Sequence, residues 1–167
     1  MYKDRREIIG IIGVGVIGGA LKKAYRKEKY SVICHDIKLN TKINDLLNTD
    51  IIFVCLPTPM NKDGSCNISI IKREMKKLSK IKYQGIVCVK STIPPGTSKL
   101  LKKNYKLLRI VNCPEFLRER CAYNDFINYG LCIIGGENKR DIQIVKKIHR
   151  PFTNKFKVVS STEAELI

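Results

Sequence analysis

Tryptophan is absent from the 167 residues, histidine occurs twice, and aromatic side chains make up only 7% of the chain. Acidic residues are also scarce, 15 against 32 basic ones. No apolar run approaches the ~18 residues that a membrane span needs, so no transmembrane helix is expected. The opening stretch, Met1-Tyr2-Lys3-Asp4-Arg5-Arg6-Glu7, has neither an apolar signal core nor a small-residue cleavage site, and a cytoplasmic location is the expectation. There is no CxxC pair, and neither histidine stands at metal-ligand spacing from a cysteine, so no metal site is expected. The seven cysteines are odd in number, which argues against a disulfide framework. Cys34, Cys55, Cys88 and Cys132 fall in apolar strand-like runs and read as small buried hydrophobes in a reducing compartment.

What the chain has in excess is positive charge, a net +17. Such a balance invites acidic partners, among them nucleic acid. The lysines, however, are scattered over helical stretches (Lys22, Lys23, Lys27, Lys29; Lys72, Lys76, Lys77, Lys80; Lys99, Lys102, Lys103, Lys106), as on solvated helix faces. No zinc-finger spacing and no aromatic-basic RNA-binding motif accompanies them, so a nucleic-acid partner is not expected. The length suits one ordinary domain.

Along the chain, short β-branched runs alternate with helix-length segments. The strands expected are Glu7–Ile12, Ser31–His35, Ile51–Leu56, Gly85–Val89, Leu107–Val111, Leu131–Ile134 and Lys155–Val159. Helices are expected over Val16–Lys27, Ser69–Ile81, from Pro94 to about Asn104, Pro114–Tyr123 and Asn138–His149, with a turn or two at Thr41–Leu47. This alternation predicts an α/β fold of the doubly wound Rossmann type: a mainly parallel sheet with helices on both faces. The last residues, Ser161 to Ile167, look like a capped helix start that is cut off at once, which suggests a fragment.

Gly13-Val14-Gly15-Val16-Ile17-Gly18 follows a strand and opens a helix. In that context Gly13 permits the tight turn, Gly15 leaves room for a pyrophosphate, and Gly18 lets helix and strand pack closely. The helix N-terminus adds free N–H groups and a positive dipole end. Asp36 ends the second strand, where a carboxylate can bind both ribose hydroxyls and repel a 2′-phosphate, favouring NAD over NADP. Leu56-Pro57-Thr58-Pro59 ends the third strand at the ligand edge of the sheet and reads equally as a rigid strand exit. Lys90-Ser91-Thr92-Ile93-Pro94-Pro95-Gly96-Thr97 ends the fourth, with hydroxyls that serve a ligand or merely cap the next helix. Glu115 and Glu119, four apart, share one face of the expected helix; they complement its dipole or do acid/base work.

In this order the motifs resemble the N-terminal NAD-binding domain of the UDP-glucose/GDP-mannose dehydrogenase family. The segments that match are Ile11–Gly18, Leu56–Pro59, Lys90–Thr97 and Cys113-Pro114-Glu115-Phe116-Leu117-Arg118-Glu119. The final Glu163-Ala164-Glu165-Leu166-Ile167 resembles the start of the family's long central helix. The resemblance implies oxidation of a nucleotide sugar's C6 alcohol to a carboxylate, with two NAD and one water, as in polysaccharide biosynthesis. A cysteine nucleophile forms a thiohemiacetal and then a thioester. It implies that Gly13 to Gly18 and Asp36 hold NAD. Leu56, Pro57, Thr58, Pro59, Ser91 and Thr92 line the nicotinamide side, and Thr92 also positions water. Glu115 resembles the acid/base residue of thioester hydrolysis, and Glu119 contacts cofactor and substrate. Phe116, Leu117 and Arg118 join these two on the substrate side.

The resemblance divides the chain into an NAD-binding domain, residues 1–160, and the first turns of a central helix, 161–167. The family's nucleophilic cysteine, with its Gly-Gly-x-Cys-like setting, lies beyond that helix, and no such motif exists here; Cys121 does not replace it. The sugar-nucleotide domain is likewise expected elsewhere, in cis or in trans, and this chain alone is expected to be inactive. The stretch from Asp36 to Asp50 is shorter than in most members, so one βα unit is compressed or lost. The competing reading is a non-catalytic module that binds NAD or a polyanion such as nucleic acid.

Overall fold

A computed structural model describes residues 6–167; the expected lead-in from Met1 to Arg5 lies outside the described residues. Seven strands form one sheet: β1 (Ile8–Ile12), β2 (Ser31–His35), β3 (Ile51–Val54), β4 (Ile86–Val89), β5 (Arg109–Asn112), β6 (Cys132–Gly135) and β7 (Phe156–Val159), in the order β2-β1-β3-β4-β5-β6-β7. All neighbours run parallel except β5 and β6, which meet antiparallel at Asn112 and Gly135. The helices are α1 (Val16–Lys27), α2 (Ser69–Lys80), α3 (Thr97–Asn104), α4 (Ala122–Ile127), α5 (Lys139–His149) and α6 (Ser161–Leu166).

The central strands β3, β4 and β6 are buried at every position, as expected for parallel strands covered on both faces. Their alternate side chains feed two separate cores. Ile9, Ile11, Phe53, Cys88, Val111 and Ile134 pack against Leu21 and Tyr25 of α1, Phe126 of α4 and Val145 of α5. Ile12, Val54, Val87 and Ile110 pack against Ile71, Met75 and Leu78 of α2 and Leu101 of α3. A doubly wound sheet with helices on both faces is what the strand–helix alternation predicts.

The compressed unit after Asp36 takes the form expected, whereas one expected helix is absent. The shortened segment after Asp36 carries only a 3-10 turn, Ile43–Leu46, whose Leu46 plugs the second core. β2 is therefore the edge strand, and the chain returns past β1 to start β3. The expected helix Pro114–Tyr123 does not form. Arg118 is extended (φ −75°, ψ 130°), a 3-10 turn covers Glu119–Cys121, and α4 begins only at Ala122. The reason lies in Asp125, whose carboxylate accepts both the Arg118 backbone N–H (3.0 Å) and its guanidinium (2.7 and 3.0 Å). Those bonds hold Arg118 extended in the middle of the expected helix.

At the other end of the chain, α6 opens with a capping box. Ser160 Oγ accepts from the Glu163 N–H, and the Glu163 carboxylate accepts from the Ser160 N–H. Ala164 packs on Gly135, where any Cβ would collide with it. Glu165 accepts the N–H groups of Gly96 and Ser98 (2.6 Å each), so it caps α3.

Candidate cofactor and active site

The carboxyl ends of β1 to β5 border a cleft of about 600 Å³. Its floor is the glycine turn. Gly13 sits at φ +89°, donates its N–H to His35 O (2.9 Å), and has the Cys55 carbonyl where a Cβ would go. Gly18 faces the Gly13 carbonyl just as closely. Gly15 differs: none of the described residues lies within 4 Å of its Cβ position, so no packing among them demands a glycine there. That open space is what a pyrophosphate would fill. α1 starts at this point with no side-chain cap and no acidic residue in its first turn, leaving its N–H groups and dipole to a ligand anion.

Asp36 stands beside the turn. Its Oδ2 accepts the Val14 N–H (2.6 Å) and its Oδ1 the Lys38 N–H (2.8 Å). These bonds, led by that from Val14, hold its carboxyl below the usual carboxylate range. The acid is thus ionised and aimed, with lone pairs left for ribose hydroxyls. His35, Ile37, Lys38, Arg73 and Glu74 complete this end. Glu74 is nearly dry, bonds Lys77 (2.9 Å) and Arg73 (3.2 Å), and sits 3.9 Å from His35.

Leu56, Pro57, Thr58, Ser91 and Thr92 line the other end, joined by Glu115, Leu117 and Glu119. Two of these hydroxyls stitch the loops together. Ser91 Oγ accepts from the Leu56 N–H (2.8 Å) and donates to Val54 O (3.2 Å). Thr58 Oγ1 donates to Thr92 O (2.9 Å). Thr92 itself is exposed at the rim. The loss of the expected helix means that Glu115 and Glu119 do not share a helix face, yet both reach the same cleft. Five expected contacts do not line it: Val14 and Gly18 serve the turn from behind, Pro59 lies outside, and Phe116 and Arg118 face a separate depression by Asn128 and Tyr129.

Lys90 also lines the cleft but was not among the expected site residues. It follows four buried apolar residues of β4, and a lysine at the end of such a strand is the one sequence signal it gave. Its side chain is wholly buried, with Nζ 3.1 Å from Glu115 Oε2 and 3.3 Å from Cys113 Sγ. Phe53, Phe126 and Tyr129 surround the ammonium at 5.4–5.9 Å. Burial works against its charge, but Cys113 and Glu115 outweigh that and hold the ammonium protonated.

The cysteines divide. Cys88 and Cys132 are buried as expected, Cys113 is buried as well, and Cys34 and Cys55 are only half-buried. Cys55 borders the cleft, but burial of its thiol pushes the pKa far up, so it stays protonated. Cys121 faces a different, shallower depression with Lys23 and Tyr123.

A glycine turn, an aimed carboxylate and an uncapped helix start at one edge of a parallel sheet define a dinucleotide-binding domain. Residues 38–153 match the NAD binding domain of the UDP-glucose/GDP-mannose dehydrogenase family, and the chain belongs to that family; its cofactor is NAD. The glycine turn and Asp36 precede the matched stretch and stand on their own geometry. The chain is 33% identical over 162 residues to the uncharacterized protein MJ1054 of Methanocaldococcus jannaschii, covering 89% of this chain and 17% of that protein. It is 31% identical over 112 residues to the UDP-glucose 6-dehydrogenase TuaD of Bacillus subtilis, covering 62% of this chain and 24% of TuaD. A UDP-glucose dehydrogenase from Pyrobaculum islandicum has the same fold, with a TM-score of 0.90 at 19% identity, over 99% of this chain and 49% of that one. The chain thus spans less than a third of either curated relative and about half of the solved structure. No helix among the described residues is long and apolar enough to cross a membrane.

Proposed function

We propose that this chain is the cofactor-binding half of a cytoplasmic NAD-dependent nucleotide-sugar 6-dehydrogenase, which converts a C6 alcohol to a carboxylate in two hydride transfers. The observation that carries the reading is the convergence of Glu115 and Glu119 on the cleft that holds the glycine turn and Asp36. Bound NAD supplies the hydride acceptor. The glycine turn and the start of α1 bind its pyrophosphate, and Asp36 its ribose. Leu56, Pro57, Thr58 and Ser91 shape the nicotinamide side, and Thr92 at the rim positions water. Glu115, held by Lys90, takes and returns a proton in thioester hydrolysis. Glu119, exposed at the mouth, contacts cofactor and substrate.

The nucleophilic cysteine comes from a second half, in cis or in trans. Cys55 is held as a thiol and Cys121 faces away, so neither suits the role. Residues 1–160 form the cofactor domain, and α6 is the start of the helix that leads to the second half.

The test joins this chain to the catalytic half of a relative such as TuaD and follows NADH formation with UDP-glucose, GDP-mannose and N-acetylhexosamine nucleotides. Turnover by the joined protein, reduced by Glu115→Gln, is the expected result. Steady turnover by this chain alone would overturn the assignment of the nucleophile to a second half. A folded, NAD-binding joined protein silent toward every nucleotide sugar would overturn the substrate class.

A further inference from the structure

Beneath the cleft, on the side of Lys90 away from solvent, three side chains from three elements meet. Cys113 follows β5, Cys132 starts β6, and His149 ends α5. All three are buried, and their ligand atoms lie within 4.8 Å of one another. The two sulfurs are 3.6 Å apart. Two thiolates on one tetrahedral zinc, each at about 2.3 Å, stand about 3.8 Å apart, so the pair is already near metal-ligand spacing.

His149 points to the same reading. Its Nδ1 lies 2.8 Å from the Val145 carbonyl, which can only accept, so Nδ1 carries the proton. That leaves a lone pair on Nε2, which is buried and has no hydrogen-bond partner. A histidine that gives one N–H to a backbone carbonyl and keeps the other nitrogen bare is the arrangement seen behind metal-bound imidazoles. The rings of Phe53 (5.6 Å), Phe126 (6.3 Å), Tyr25 and Tyr129 (6.4 Å each) pack around it, and neither tyrosine hydroxyl bonds Nε2: that of Tyr129 goes to Pro114 O and that of Tyr25 has no partner among the described residues.

We propose that Cys113, Cys132 and His149 form a buried site for a thiophilic divalent cation of the zinc class. Cys88 is buried on the adjacent strand β4. Lys90 is compatible with the cation. A metal-bound thiolate accepts an N–H bond such as that from Lys90 Nζ to Cys113 Sγ. Binding releases the proton of the Cys132 thiol to solvent, so affinity rises with pH. The site ties β5, β6 and α5 together behind the Lys90–Glu115 pair.

The test uses the reduced, purified 167-residue chain. Cobalt(II) is the probe, because thiolate ligation gives intense near-ultraviolet charge-transfer absorption together with tetrahedral bands in the visible. The expected result is stoichiometric cobalt with both signatures, displaced by zinc. Cys132→Ser and His149→Gln should each weaken binding at least tenfold, while Cys66→Ser, away from the site, leaves it unchanged. Circular dichroism and NAD binding of the same variants separate loss of the metal from loss of the fold. Folded, reduced protein without the thiolate bands would overturn the proposal. So would a Cys113–Cys132 disulfide, found by mass as the loss of two hydrogens, in protein that binds no metal when reduced. Either result leaves the NAD reading untouched, because the cofactor cleft uses none of these three residues.

Discussion

The ammonium of Lys90 lies 3.1 Å from the carboxylate of Glu115, and the two side chains are 0% and 3% exposed. A pair this dry is costly to break from one side, since the remaining charge keeps its desolvation penalty. Lys90→Met is expected to cost about 3–5 kcal/mol of stability. Adding Glu115→Gln should recover part of that loss. Urea unfolding of the single and double variants checks this; a Lys90→Met protein as stable as the parent would rule out a buried ion pair.

The glycines of the turn should separate into two kinds. Gly15 has open space around it, so Gly15→Val is expected to leave the melting temperature nearly unchanged. Its side chain would stand where the pyrophosphate goes, and NAD affinity should fall at least tenfold, about 1.4 kcal/mol. Gly13→Ala should instead destabilise the fold, by about 1–3 kcal/mol or more, because it combines φ +89° with a collision at the Cys55 carbonyl. Thermal melts alongside calorimetry with NAD distinguish the two; equal melting losses would contradict the assignment.

Arg118 and Asp125 give a pH signature. The guanidinium bonds hold the Asp125 carboxyl at about 2, below an unfolded value of about 3.9. A depressed acid stabilises the folded state above the unfolded pKa and loses that contribution as pH falls through the folded one. The parent should therefore exceed Arg118→Ala in stability near neutrality, with the difference shrinking between about pH 4 and pH 2. Arg118 is exposed and Asp125 half-buried, so the difference is small, and acid titrations of both proteins read it. A gap that widens on acidification would contradict the pairing.

Much of this was legible in the sequence because it depends on local pattern. The buried runs of β1, β3 and β4 and the glycine turn follow from composition and spacing and stand where expected; α6 starts where expected too, although its cap is Ser160, one residue ahead of the expected stretch. The segment 114–121 was not legible, because what prevents its helix is Asp125, whose grip on Arg118 no periodicity reveals. Lys90 was hidden for a similar reason: a lysine after a buried strand reads as a strand exit until the fold brings Glu115 and Cys113 to it. The Cys113–Cys132–His149 cluster spans three elements at spacings that match no ligand motif.

Glu165 links the end of the chain to the active-site side. Glu165→Ala removes the carboxylate that accepts from Gly96 and Ser98, and should cost about 1 kcal/mol, as loss of a helix cap does. Hydrogen exchange should accelerate at the start of α3 and in α6 together. Acceleration in α6 alone would mean that the contact does not couple the two.

The central claim is that this cleft binds NAD through the glycine turn and Asp36. Calorimetric titration of the 167-residue chain with NAD, beside an Asp36→Ala variant, tests it most directly. Saturable binding by the parent, weaker for NADP, and reduced at least tenfold in the variant is the predicted result. No binding by the folded parent, or equal binding by the two proteins, would contradict it.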